Sequence, residues 1–176
     1  GKPTGIELPG EGSGLLFDPK EMRDIDVATM SIGQGIAVTP LQMLQAYSAI
    51  ANGGKMVKPH ILDSIQNPDG TVYKSYETEY TGEPVSKKVA DEVRNMMEKE
   101  ISEGGGMNAR VPGYHMAGKT GTAQKLDSVH GGYLENTYIA SFCGFGPTEN
   151  PRAICLVVLD DPQGNYYGGL VRSEEH

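Results

Sequence analysis

Apolar positions along this chain recur at two spacings, and the change from one to the other divides it into elements. Met43, Ala46, Tyr47 and Ile50 stand at i, i+3, i+4 and i+7, one stripe of a helix. Thr39 before Pro40, with Gln42 three residues after the Thr, supplies a start signal, and Asn52, Gly53 and Gly54 supply a stop. A second stripe, Ala90, Val93, Met97 and Ile101, predicts a helix that begins near Ser86 and ends at Gly104, Gly105 and Gly106. Residues 60–65 and 71–76 flank the turn formers Asn67, Pro68, Asp69 and Gly70, which predicts a hairpin. Residues 138–145 and 153–159 read as two strands joined tightly at residues 148–151 and therefore antiparallel. The second run is apolar throughout, as a strand covered on both faces would be. With residues 114–125 as a third strand, the expectation is an α+β fold, an antiparallel sheet packed by helices. The Gly-rich residues 1–35 read as an extended arm without a core of their own.

Composition narrows the partners. Fifteen Lys and Arg against 23 Asp and Glu give a net charge of -8 over 176 residues, which repels phosphate backbones and anionic lipid. Neither nucleic acid nor a membrane surface is expected to bind. No apolar run reaches the roughly 20 residues that span a bilayer. The chain opens at Gly1-Lys2-Pro3-Thr4 and stops at His176, just beyond a Gly-rich turn, so it is expected to be part of a longer protein. Cys143 and Cys155 lie in apolar runs without metal or redox spacing and read as two buried thiols. His60, His115 and His176 do not cluster, and neither a metal nor another cofactor is expected.

Candidate chemistry concentrates in residues 117–125. Gly113 through Thr120 fits the phosphate-loop pattern G-x-x-x-x-G-K-[ST], while Lys119-Thr120-Gly121 fits the Lys-Thr-Gly triplet of serine acyl-enzymes. A phosphate loop needs a buried strand before it and a helix directly after Lys-Thr, and neither flank has that character. As an exposed edge strand the stretch has another use. Gly118 and Gly121 would let a ligand backbone approach, Lys119 brings positive charge, and Thr120 and Thr122 bring hydroxyls that could hold a carboxylate. A backbone N-H there could face a developing oxyanion.

Five motifs stand in one order: Thr4-Gly5-Ile6-Glu7-Leu8-Pro9-Gly10-Glu11; residues 32–42 around Gly33-Gln34-Gly35 and Thr39-Pro40-Leu41-Gln42; Ala49-Ile50-Ala51-Asn52-Gly53-Gly54; Ala117-Gly118-Lys119-Thr120-Gly121-Thr122-Ala123-Gln124-Lys125; and Ser141-Phe142-Cys143-Gly144-Phe145 with Pro147, Pro151 and Arg152. Together, to about Gly169, they resemble the later part of the transpeptidase domain of class B penicillin-binding proteins, the division and sporulation type, especially the stage V sporulation protein D group.

The resemblance implies a partial penicillin-binding, serine β-lactamase-like fold. It implies a membrane-anchored parent enzyme on the extracytoplasmic face that cross-links peptidoglycan through an acyl-enzyme on a Ser and is trapped by β-lactams. Its ligands would be the stem peptide and β-lactams, and its protein partners those of division or sporulation. Carried over, Lys119 contributes charge and proton-network contacts, Thr120 and Thr122 bind the ligand carboxylate, Gly121 completes the triplet, and the Thr122 backbone N-H joins the oxyanion hole. No Ser here has Lys three residues on or Asn two residues on, so the nucleophile and its companion motif are expected outside the chain, and the chain alone is expected to be inert. Residues 168–173 depart from the family continuation, which implies a missing C-terminal helix, exposed apolar sheet and self-association. Two other functions stay open at this point: a β-lactam sensor or noncatalytic binding module of the same fold, and a phosphate-loop nucleotide-binding protein.

Overall fold

The computed structural model describes residues 1–127 and 129–163. Among these residues three α-helices, a short 3-10 helix and seven strands follow one another: α1 Asp24–Ser31, α2 Pro40–Ala51, β1 Met56–Val57, β2 Ser64–Gln66, β3 Val72–Ser75, β4 Tyr80–Gly82, α3 Lys87–Ser102, the 3-10 helix Met107–Ala109, β5 Ala117–Leu126, β6 Tyr133–Gly146 and β7 Ala153–Asp160. This is the expected α+β arrangement.

Helix α2 starts where its cap signals place it. The Gln42 N-H donates to Thr39 Oγ1 at 3.2 Å, and the Thr39 N-H donates to Gln42 Oε1 at 2.8 Å. It ends as Gly53 and Gly54 take φ of 62° and 102°, and the Gly54 N-H returns to the Ala49 carbonyl at 2.7 Å. In α3, Ser86 Oγ accepts the Val89 N-H at 3.3 Å, and the chain turns off where the Gly106 N-H meets the Glu100 carbonyl at 3.0 Å. Ala90, Met97 and Ile101 of its stripe are buried, and Val93 packs on the core. The α2 stripe is rotated from expectation. Ser48, Ala49 and Ala51 are buried, Tyr47 and Ile50 pack on the core, and Ala46 is exposed, because α2 meets α3 and the start of β7 together.

The main sheet has the order β5-β6-β7, antiparallel throughout. Ala117 pairs with Phe145, Lys119 with Cys143 and Gly121 with Ser141, and Phe145 pairs in turn with Ile154. Side chains alternate between faces, so Ala117, Lys119, Gly121, Cys143, Phe145 and Ile154 share the helix side. There Phe145, 1% exposed, joins Ala51, Met97 and Ala117 in the core. Burying a side chain of that size stabilises by roughly 1.5–3 kcal/mol.

Two expectations about β7 need correction. Its residues are exposed or half-buried rather than covered on both faces, since among the described residues it is an outer strand of a three-stranded sheet. Cys155 is accordingly exposed while Cys143 is buried, and one residue of register offset puts them on opposite faces, both as free thiols. Burial, with Cys155 nearby, pushes the Cys143 thiol up to about 12.

The arm of residues 1–35 is less featureless than the sequence suggests. Helix α1 forms because the Arg23 N-H donates to Asp26 Oδ2 at 2.9 Å while the Arg23 guanidinium pairs with the same carboxylate, holding Asp26 down at about 2. It buries no residue, which is why hydrophobic periodicity does not reveal it. The arm is pinned by the Gln42 side-chain amide, which donates to the carbonyls of Lys2 at 2.7 Å and Ser13 at 2.9 Å, and by the backbone pair of Leu15 with Ala37. Near its start the Thr4 N-H and hydroxyl and the Gly5 N-H all donate to the Glu11 carboxylate.

The expected hairpin is β2 paired with β3, and β1 pairs with β4 on either side of it. Strand β5 runs to Leu126 and β6 begins at Tyr133, and their antiparallel pairing makes a long hairpin.

Candidate functional site

Residues 119–122 lie in β5, which pairs with β6 on one side and has no strand on the other among the described residues. Lys119 and Thr122 are exposed, and Thr120 and Gly121 half-buried. This placement does not favour a phosphate loop, because Lys119 and Thr120 sit within a ten-residue strand and no helix follows them among the described residues to present its N-terminus.

Lys119 and Thr120 converge although successive strand residues point to opposite faces. At the edge of a sheet both side chains can reach the open side. The Lys119 ammonium lies 3.4 Å from Thr120 Oγ1 and 3.1 Å from the Thr120 carbonyl oxygen. Both also meet the Glu100 carboxylate of α3: Lys119 Nζ donates to Glu100 Oε1 at 3.5 Å, and Thr120 Oγ1 donates to the same oxygen at 3.4 Å. Chemically, an ammonium and a hydroxyl at an open strand edge are donors from which an anion can accept hydrogen bonds.

Glu100 is the residue that sequence reasoning missed. The available signal was its position between Met97 and Ile101, an acid bordering a buried apolar stripe.

The glycines of β5 also fit it closely to β6. A Cβ on Gly118 would come within 2.6 Å of Phe142 Cζ, and one on Gly144 within 2.8 Å of Phe142 Cε1, so a paired Gly118 and Gly144 make the seat of an aromatic ring. A Cβ on Gly121 would meet Ser141 Oγ at 2.5 Å. Both glycines of β5 thus accommodate β6 in the first place.

The strand is anchored at its start. His115 Nδ1 lies 2.8 Å from Glu98 Oε1, and the His115 carbonyl accepts the Thr148 N-H at 3.0 Å. The hydrogen bond to Glu98, with the charges of Glu149 and Glu98, raises the His115 pKa above the ordinary 6.5. Near the other end, Lys125 pairs with Asp160 across the sheet at 2.8 Å. His130 sits in the β5–β6 turn against Asp127 at 3.0 Å, away from the Lys119 edge. Among the described residues no group of His, Cys, Asp and Glu is arranged to hold a metal, and His176 lies outside them. A cavity of about 360 Å³ opens between α2 and the start of β7, lined by Leu41, Leu44, Gln45, Pro59 and Ile154 among others, none of them on β5.

Comparison with known proteins places these features in a setting. The family model described as the penicillin binding protein transpeptidase domain matches residues 1–174. Stage V sporulation protein D of Bacillus subtilis is 39% identical over 173 residues, 97% of this chain and 26% of the relative. Penicillin-binding protein PbpB of Mycobacterium tuberculosis is 37% identical over 182 residues, again 26% of that protein. The chain therefore spans about a quarter of the length of these relatives. The apo crystal structure of penicillin-binding protein 3 from M. tuberculosis superposes with a TM-score of 0.84 at 37% identity, over 96% of this chain and 39% of that one. The same protein has been solved in complex with aztreonam and with ampicillin.

Proposed function

Because the chain belongs to the transpeptidase-domain family of the class B penicillin-binding proteins, we infer that residues 119–122 form one wall of the acyl-transfer site of a peptidoglycan D,D-transpeptidase. The observation that carries this reading is the convergence of the Lys119 ammonium and the Thr120 hydroxyl at the open edge of β5. Similar proteins named as probable peptidoglycan D,D-transpeptidases support it.

In this reading a stem peptide, or a β-lactam in its place, lies along the edge of β5 as an added strand. Lys119 and Thr120, with the exposed Thr122 hydroxyl, hold its carboxylate, and Gly121 keeps the edge free of a side chain between them. The nucleophilic Ser attacks the penultimate D-Ala carbonyl, and the negative charge that develops on the carbonyl oxygen is met by the Thr122 N-H. Collapse expels the terminal D-Ala and leaves the acyl group on Ser, from which an amine of a neighbouring strand takes it. This chain has no Ser followed three residues on by Lys. The nucleophile is therefore supplied from outside it, and residues 1–176 are the C-terminal portion of the domain, inactive alone.

The reading further implies action at the extracytoplasmic face of the cell membrane in a membrane-anchored parent, with division or sporulation proteins as partners. No helix among the described residues is long and apolar enough to cross a membrane, so the anchor would belong to the parent. Exposed apolar side chains on the sheet, Leu126, Tyr133 and Val158, support self-association of the isolated chain, which light scattering would read.

The test is covalent labelling of the complete protein by fluorescent penicillin. The wild type is expected to give a labelled band, Lys119→Ala to lose most of it, and residues 1–176 alone to give none. Labelling of the isolated chain, or full labelling of Lys119→Ala, overturns the assignment. A β-lactam sensor of the same fold would label but never release D-Ala from a stem peptide.

A further inference from the structure

The Glu100 carboxylate takes up the two donors, the Lys119 ammonium and the Thr120 hydroxyl, that the proposed function assigns to the ligand's anionic end. We propose that Glu100 is a built-in competitor, a specificity-determining residue that holds this seat in the resting protein and must be displaced by an incoming carboxylate. The inference rests on the acyl-transfer reading above.

Three observations carry it. One oxygen, Glu100 Oε1, serves both donors, as one oxygen of a ligand carboxylate would. The side chain is also delivered by a rigid element: Glu100 stands between Met97 and Ile101, both buried, and its own side chain is only 23% exposed against 54% for Lys119. Finally, the turn after α3 is shaped around the carboxylate. A Cβ on Gly104 would lie 2.7 Å from Glu100 Oε2, and one on Gly105 3.3 Å from Oε1. Gly104 and Gly105 leave this seat clear of side chains.

The contacts are long, at 3.4 and 3.5 Å, so the seat is held weakly and a ligand can take it. Like charges a few ångströms apart disfavour each other, so a bound carboxylate and Glu100 cannot share the donors without cost. Glu100 thus lowers affinity for anionic acyl donors while leaving the chemical step alone.

The experiment uses the complete protein and benzylpenicillin, with acylation kinetics resolved into the dissociation constant before acylation and the rate constant of acylation itself. Glu100→Gln is expected to tighten the first about 2- to 5-fold, the range of a partly exposed charge pair, to leave the second unchanged, and to lose the gain at high salt. The methyl ester of benzylpenicillin, which has no carboxylate, should show no gain. Thermal melting of the variant confirms that it folds, and Glu100→Asp, which keeps the charge, should stay close to wild type. Unchanged binding, or a fall in the acylation rate constant as expected if Glu100 merely steadies Lys119, overturns the proposal alone. A wild type that benzylpenicillin fails to acylate overturns the acyl-transfer reading, and this inference with it.

Discussion

Replacing Gly118 by Ala tests how the candidate strand is fitted to its neighbour. The new methyl would stand 2.6 Å from Phe142 Cζ, 3.0 Å from Cε2 and 3.1 Å from the Cys143 carbonyl oxygen. Carbon atoms in comfortable contact are about 3.5–4.0 Å apart, so the ring must rise off the sheet by about 1 Å. A Cβ on Gly144, at the paired position, would stand 2.8 Å from Cε1 of the same ring, so both glycines form its seat. Overpacking of this kind costs typically about 1–3 kcal/mol, and a ring seated on two glycines belongs in the upper half of that range. Urea unfolding of the transpeptidase domain that carries this chain should show the loss as a lower midpoint with the slope unchanged. Gly121→Ala meets only a Ser141 hydroxyl that can rotate away, and should cost less than about 1 kcal/mol in the same assay. Gly118→Ala and Gly144→Ala should be sub-additive by about 1 kcal/mol, since whichever methyl comes first has already displaced the ring. A Gly118→Ala variant as stable as wild type, or full additivity with Gly144→Ala, would refute the shared-seat argument.

Four further outcomes are expected. Thr39→Ala removes the acceptor for the Gln42 N-H and should destabilise by about 1 kcal/mol in urea unfolding. Thr148 is 3% exposed and its hydroxyl has no hydrogen-bond partner among the described residues, so Thr148→Val should be neutral or stabilising in thermal melts. At pH 8 iodoacetamide should modify exposed Cys155 and spare Cys143, whose thiol stays protonated to about 12, as peptide mass mapping would read. His115 is raised above its ordinary 6.5, so its pairing with Glu98 stabilises fully below that value and fades as pH rises through the folded pKa; NMR titration should show the elevation, and Glu98→Gln should reduce it.

The long elements were legible because the signals that specify them are local. Thr39, Pro40 and Gln42 fix the start of α2 wherever the rest of the chain goes, and Ala90, Met97 and Ile101 name the buried face of α3 by spacing alone. The three main strands and the hairpin at residues 64–75 followed from runs and turn formers. What escaped depends on partners distant in sequence or on absent burial. Strands β1 and β4 are two and three residues long and exist only because each finds the other across more than twenty residues. Helix α1 buries nothing, so only the acids of its first turn, Asp24 and Asp26, marked it. In the candidate site, Lys119, Thr120 and Gly121 were visible as a triplet, whereas Glu100 reaches them from another element, 19 residues back from Lys119. The exposure of Cys155 followed from sheet order, which a run of apolar letters does not encode.

The pairing of β1 with β4 has a practical consequence. The Lys58 N-H donates to the Glu79 carbonyl at 2.8 Å and the Lys58 ammonium meets the Glu79 carboxylate at 3.1 Å, so the chain leaves and re-enters at one narrow neck. Everything between, including all of β3, is largely exposed, and among the main contacts between elements β2 and β3 touch only each other. Residues 60–78 therefore form a detachable branch. A peptide tag or fluorophore at the Asn67 to Gly70 tip would report on this protein without disturbing the Lys119 edge, and a short linker in place of the branch would leave the main sheet whole.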